Sequence, residues 1–161
     1  MKIAVLGMGN SVMTDDAVGL KVIDVLENAD LAARLPAGVE IGLLRNEAGG
    51  WEILDDVEGF DALVLVDACI APSLGVGQCA WFEPGQFTSP RMSGTHNMDV
   101  FSALDLGRKS GLHVPALVVA LGIGAKEIYS FSEELTPAVA AAVPVAADLV
   151  LAKVLEIAGG R

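Results

Sequence analysis

The chain of 161 residues is poor in cysteine and in positive charge, and each of these shortages argues against a class of protein. Two cysteines, Cys69 and Cys79, are too few for a disulfide framework or for a zinc site built from thiolates. Ten basic residues stand against 21 acidic ones, a net charge of −11, whereas nucleic acids and anionic membranes bind basic surfaces. We therefore expect no nucleic-acid partner and no membrane partner.

Targeting signals are also lacking. The first residues, Met1 to Leu6, resemble a strand that runs into glycines, without the long apolar region and cleavage site of a signal peptide. No apolar run approaches the roughly 18 residues that a membrane-spanning helix needs, and no apolar interface helix stands out. We expect a cytoplasmic protein that is a monomer.

Hydrophobic residues make up 53% of the chain and charged residues only 19%, which favours a sheet buried on both faces. The length suits one domain, residues 1–161. A chain of this size buries roughly two-thirds of the surface that its unfolded form exposes, so it folds without disulfides or metals.

Strands and helices alternate along the sequence. The apolar runs predict strands at 3–6, 39–44, 62–66 and 114–121, with a shorter edge strand at 79–82. Helices are predicted at 17–27, 51–57, 98–109 and 137–158, the last with Thr136 as its N-cap and a kink at Pro144. This order predicts an α/β fold: a single-domain three-layer sandwich with a mostly parallel sheet and helices on both faces.

Three short clusters lie where such a sheet binds ligands, beyond the carboxyl ends of its strands. They are Gly7-Met8-Gly9-Asn10 with Asp15-Asp16, then Val66-Asp67-Ala68, then Thr95-His96-Asn97. Two carboxylates and an imidazole from separate loops can hold a divalent transition ion and leave coordination positions open. The plainer interpretation is that Asp15 and Asp16 only cap a helix, that Asp67 accepts backbone N–H bonds, and that His96 is a surface residue.

Other candidate sites are weaker. The glycines at 7 and 9 begin a dinucleotide fingerprint, but its third glycine would fall on Val12, so we expect no nucleotide cofactor. Cys69 has only His96 as a conceivable activator, and a small buried residue is the better interpretation. His113 precedes a strand at its amino end and is interpreted as structural.

Taken together, these motifs resemble the endopeptidases that mature [NiFe] hydrogenases. The resemblance covers essentially the whole chain, and its individual motifs are specific only in combination. The residues that carry it are Ile3 to Asn10, Thr14-Asp15-Asp16-Ala17-Val18-Gly19, Leu65-Val66-Asp67-Ala68, Thr95-His96, Val119 to Ile123, and Leu135-Thr136-Pro137.

The resemblance implies a metal-dependent endopeptidase that removes a C-terminal extension from the nickel-loaded precursor of a hydrogenase large subunit. It implies that Asp16, Asp67 and His96 contact nickel supplied by that precursor. Two alternatives stay open: a non-catalytic nickel-sensing or chaperone-like module that binds the precursor, and a nucleotide-binding enzyme. One segment departs from the family pattern, because Arg45 to Gly50 stands where the family often has Asp-x-Gly-Thr. Either Glu47 substitutes for the usual aspartate, or this chain lacks the role of that acid.

Overall fold

A computed structural model describes residues 1–83, 86 and 99–160. Its strands are Lys2–Met8 (β1), Glu40–Asn46 (β2), Ala62–Cys69 (β3), Cys79–Phe82 (β4) and Leu117–Gly124 (β5). Its α-helices are Val18–Glu27 (α1), Glu52–Val57 (α2), Val100–Lys109 (α3) and Pro137–Ala158 (α4), and short 3-10 helices cover Thr14–Ala17 and Ala32–Arg34.

The five strands form one sheet in the order β2-β1-β3-β5-β4. Four of them are parallel, and β4 pairs antiparallel with β5 at one side of the sheet. The parallel strands therefore end at one common edge, here called the carboxyl edge; the opposite one is the amino edge. The loops that follow β1, β2, β3 and β5 all lie at the carboxyl edge.

Each face of the sheet packs against helices, because alternate residues of a strand point to opposite faces. On one face Ile3 and Val5 of β1 pack in a cluster with α1 and α4. On the other face Ala4 and Leu6 pack in a second cluster with α2 and α3. The predicted α/β class, with a mostly parallel sheet and helices on both faces, is confirmed.

Several strand ends differ from the sequence prediction, and those of β3 and β5 bear on the carboxyl edge. β3 was expected to stop before Asp67, but it continues to Cys69, so Asp67 lies inside a strand. β5 was expected at 114–121, yet it starts at Leu117, after Pro115, which has no N–H for the ladder, and it includes Gly122 and Gly124. Glycine is needed there because a Cβ on Gly124 would lie 2.1 Å from the Gly75 carbonyl oxygen.

The bounds of α4, predicted at 137–158, are confirmed, but the apolar character of this helix was underestimated. Its 22 residues are long and apolar enough, by length and composition alone, to cross a membrane. The expectation that no apolar run reaches that length was therefore wrong. The apolar composition has a structural cause, since α4 packs against α1 and β5 and buries Val139, Val143 and Val150 in the first core cluster. Helix packing on a sheet favours the same residues that a membrane does.

Candidate functional site

Asp16 reaches the carboxyl edge through unusually close backbone packing. It lies in the 3-10 helix Thr14–Ala17, between β1 and α1, and its residue is 6% exposed. A Cβ on Gly19 would lie 2.3 Å from the Met8 carbonyl oxygen and 2.4 Å from that of Val66. A Cβ on Gly9 would lie 2.2 Å from the Asp16 carbonyl oxygen. Glycine at these positions therefore lets the Asp16 turn lie directly on the ends of β1 and β3.

Asp67 is fully buried in β3. β1 pairs with β3 only as far as Val66, while β5 continues alongside, with Gly122 opposite Asp67. The backbone N–H of Ala68 donates to the Asp67 Oδ1 atom over 2.8 Å. By alternation along the strand, Asp67 shares the sheet face of Leu65, the face covered by α2 and α3. Asp67 thus lies just beyond the last pairing of β3 with β1.

Asp15 is fully buried and has a different role from its neighbour. Its Oδ2 atom accepts the N–H groups of Lys126 and Glu127, at 3.3 and 3.0 Å, and the Thr136 hydroxyl at 3.0 Å. Its Oδ1 atom accepts the Thr136 N–H at 2.8 Å. The plainer interpretation made both aspartates helix caps, but α1 has no side-chain capping hydrogen bond, and Asp15 instead joins the Asp16 turn to the segment between β5 and α4.

Thr136 shows how this junction was missed. It is the N-cap residue of α4 and Pro137 follows it, as the sequence predicts, but its side chain makes no capping hydrogen bond. Its hydroxyl donates to Asp15, 121 positions earlier in the chain. The sequence shows a threonine before the helix, but the local pattern around Thr136 does not reveal that its partner is Asp15.

The same segment holds Thr14 in a strained conformation. Thr14 has φ of 46°, in the left-handed region that residues with a side chain rarely adopt. Its hydroxyl donates to the Ser130 carbonyl at 2.6 Å and its N–H to the Ser132 carbonyl at 2.9 Å. The N–H of Ser132 returns a bond to the Val12 carbonyl at 3.0 Å. Such strain persists where several contacts fix the backbone, and it is concentrated at functional sites.

The segment that departs from the family pattern also reaches this edge. Both the N–H and the hydroxyl of Ser11 donate to the Glu47 Oε2 atom at 2.9 Å. Beside it, Asn46 is buried, donates to Asp56 and accepts the Gly49 N–H. Glu47 therefore ties the loop after β2 to the loop after β1.

Asp99 lies at the start of α3, shortly after the predicted cluster Thr95-His96-Asn97 in the sequence. It is the N-cap of α3 and accepts the Ser102 N–H at 3.0 Å and the Ser102 hydroxyl. Burial opposes its charged form, but the hydrogen bonds from Ser102 outweigh burial and lower the pKa of Asp99. α3 was predicted from residue 98, close to its observed start at Val100.

Of the three predicted metal-contacting residues, the structure describes two. Asp16 and Asp67 are both buried at the carboxyl edge, and the 3-10 helix that carries Asp16 contacts β3. His96 lies outside the described residues. Within 1–83, 86 and 99–160, no three His, Cys, Asp or Glu side chains are grouped so as to hold a metal ion. The contribution of His96 therefore stays a prediction.

Cys69 and His113 were interpreted as structural residues, and their positions agree with that interpretation. Cys69 is 1% exposed at the end of β3. His113 is at the amino edge, where its Nε2 atom lies 3.6 Å from Asp61 Oδ1 in a largely exposed pair.

Comparison with known proteins agrees with this architecture. Residues 32–153 match the family model described as hydrogenase maturation protease. The hydrogenase 2 maturation protease of Escherichia coli strain K12 is 32% identical over 97% of this chain and 92% of its own length.

Solved structures give the same result. The hydrogenase maturating endopeptidase HybD of Escherichia coli superposes with a TM-score of 0.77 and 29% identity, over 97% of this chain and 93% of its own. The [NiFe] hydrogenase maturation protease HycI of Thermococcus kodakarensis, with 20% identity and a TM-score of 0.68 over 96% and 92% of the two chains, shares the fold. The chain belongs to the hydrogenase maturation protease family and is a peptidase of hydrogenase maturation.

Proposed function

We propose that this peptidase removes a C-terminal extension from the nickel-loaded precursor of a [NiFe] hydrogenase large subunit, and that it acts in the cytoplasm as a monomer. The observation that carries the proposal is the pair of buried carboxylates, Asp16 and Asp67, at the carboxyl edge of a chain from this family. Aspartates are seldom buried, and the carboxyl ends of parallel strands are where ligands bind in such sheets.

Nickel in this proposal belongs to the substrate. Carboxylate and imidazole groups are ordinary ligands for such an ion, so Asp16, Asp67 and His96 would complete the coordination of a metal already held by the precursor. The ion can polarise the scissile carbonyl or activate a water molecule. A carboxylate of the set can serve as the general base that accepts the proton of that water.

The same arrangement gives a checkpoint. An empty precursor offers the two carboxylates and the imidazole no cation, so it loses the interactions that would hold its C-terminal segment in register. Only a precursor that has received nickel would then be cleaved.

A cleavage assay tests the proposal. Purified protein is mixed with nickel-loaded and nickel-free large-subunit precursors from its own host, and the products are identified by intact mass. We expect loss of a C-terminal peptide from the loaded precursor alone. Binding of the loaded precursor without cleavage would instead support a chaperone-like module, and cleavage of both precursors would remove the checkpoint.

The two histidines provide a matched control. His96→Ala is expected to abolish cleavage while the protein stays folded, and His113→Ala, at the amino edge, is expected to leave it unchanged. Normal cleavage by the His96→Ala protein would contradict a role of that imidazole in meeting the metal.

A further inference from the structure

Exposed aromatic side chains are concentrated at the carboxyl edge. Among the described residues, three aromatic side chains are exposed: Trp51 at 55%, Tyr129 at 74% and Phe131 at 84%. Trp51 follows β2, and Tyr129 and Phe131 follow β5. We call these three residues the aromatic rim. Exposed apolar side chains that lie at one edge of a fold are candidates for an interaction surface.

The strand order places the rim residues on either side of the two buried carboxylates. Among the four parallel strands, which lie in the order β2-β1-β3-β5, the rim residues follow β2 and β5. Asp16 follows β1 and Asp67 lies near the end of β3, so both are between them. The rim residues therefore lie on both sides of the two buried carboxylates along the edge. A protein that reaches these carboxylates along the edge therefore meets the rim side chains on either side.

The loop with Tyr129 and Phe131 is held in place before any partner arrives. Its Ser130 and Ser132 carbonyls accept two hydrogen bonds from Thr14, and the Ser130 hydroxyl donates to the Glu127 carboxylate at 2.8 Å. Both aromatic residues are thus displayed on a fixed backbone that is joined to the Asp16 turn. A preorganised loop loses little conformational entropy on binding, which favours affinity.

Charge indicates the chemistry of the partner. Between residues 126 and 134 there are three glutamates, Glu127, Glu133 and Glu134, and one lysine. Trp51 is followed directly by Glu52, and the whole chain carries −11. A surface with aromatic side chains among carboxylates is complementary to apolar side chains that lie beside lysines or arginines.

We propose that the aromatic rim is the docking surface for the large-subunit precursor, and that it binds a segment of the precursor with apolar and basic side chains. This proposal rests on the proposed function for the identity of the partner. Aromatic residues dominate binding energy in protein interfaces, so the rim would set the affinity for the precursor while Asp16 and Asp67 act on the bound segment.

The test is the double variant Tyr129→Ser with Phe131→Ser, assayed with nickel-loaded precursor. Both side chains are exposed, so the melting temperature should stay close to that of the unmodified protein. We expect KM to rise at least about tenfold with little loss of kcat, as for removal of interface hot spots. The control is Val145→Ser, an apolar residue on α4 that is 54% exposed, for which no change is expected.

Direct binding separates this proposal from the proposed function. Calorimetry with the same precursor gives Kd for the unmodified protein and for both variants. If the unmodified protein binds without cleaving, the proposed function fails, and a roughly tenfold weaker Kd of the double variant still supports docking. An unchanged KM and Kd in the double variant, or no binding by the unmodified protein, would overturn the docking surface.

Salt dependence provides a second measurement if the double variant does not fold. We expect KM of the unmodified protein to rise with ionic strength, and the Glu133→Gln, Glu134→Gln variant to show a smaller rise. A KM that is independent of salt in both proteins would contradict a basic partner segment.

Discussion

The aspartates at the two edges of the sheet differ in their exposure to water. At the amino edge, Asp61 is about half exposed, accepts the Lys2 N–H at 2.7 Å and faces His113. At the carboxyl edge, Asp15, Asp16 and Asp67 are 0%, 6% and 0% exposed. Water solvates the first group directly, whereas the second group depends on the protein for its hydrogen bonds.

The comparison separates an acid whose hydrogen bonds hold the fold from the acids that the proposal assigns to chemistry. Asp15 takes four hydrogen bonds from the β5–α4 segment, so its oxygens are used in holding two parts of the chain together. Asp16, one residue later, is the one that the proposal assigns to the nickel. Adjacent residues on a 3-10 helix point about 120° apart, which allows such a division of roles.

The largest effect is expected from Asp67→Asn, which removes the charge at the carboxyl edge and keeps the shape. Cleavage of the nickel-loaded precursor should fall about a thousandfold, in the range for loss of a general base or metal contact. The matched variant Asp61→Asn makes the same change at the amino edge, and its cleavage rate should not change. Equal rates for the two variants would remove the functional distinction between the edges.

Asp15→Asn should mainly affect stability. The side-chain amide of the variant has an NH2 group where Asp15 has an acceptor oxygen, so it would face the N–H and O–H donors of Lys126, Glu127 and Thr136. The free energy of unfolding should therefore fall by about 3 kcal/mol. Urea unfolding followed by circular dichroism measures this change. Stability equal to that of the unmodified protein would mean that the charge of Asp15 does not hold the β5–α4 segment.

Gly19→Ala tests the close packing beneath Asp16. Its Cβ would meet the Met8 and Val66 carbonyl oxygens at distances that require the backbone to move. We expect a loss of about 2 kcal/mol in unfolding free energy, together with slower cleavage because the Asp16 turn is displaced. Gly159→Ala is the control for glycine replacement without a clash, since Gly159 has φ of −80° and its Cβ would come no closer than 3.3 Å to its neighbours. Full activity of Gly19→Ala would show that the turn tolerates displacement.

The smallest effect concerns the pH dependence at Asp61. The Lys2 N–H, helped by the N-terminus, His113 and the Lys2 side chain, outweighs burial and lowers the pKa of Asp61. A lowered folded pKa contributes stability above the unfolded value of about 3.9 and loses it as the pH falls through the folded pKa. Asp61→Asn should therefore be slightly less stable than the unmodified protein at pH 6, and the difference should disappear in strong acid. A difference that persists there, in thermal melts, would contradict a charge effect.

Much of the fold could be predicted from the sequence because strongly apolar runs alternate with helical patterns. The carboxyl-edge location of Asp16 and Asp67 followed from the strand order of a parallel sheet. Strand ends were less predictable, since the last residues of β3 and β5 are kept in the sheet by pairing with each other rather than by their own propensity. A local pattern contains no information about the length of a partner strand.

The divided roles of Asp15 and Asp16 were not predictable for a similar reason. Both look like helix-capping acids, and only the position of Thr136, more than a hundred residues later, assigns Asp15 to the fold. Tyr129 and Phe131 were not singled out in the sequence either, because their importance depends on which strand ends beside β3.

The junction at Asp15 has a consequence for the synthesis of the protein. Residues near position 15 leave the ribosome early, but their partners at 126, 127 and 136 are made only when most of the chain is complete. A prematurely terminated chain can pair β1 with β2 and β3, yet it lacks the segment that fixes the Asp16 turn. A protease that assembles its site last leaves no active fragment behind when translation fails.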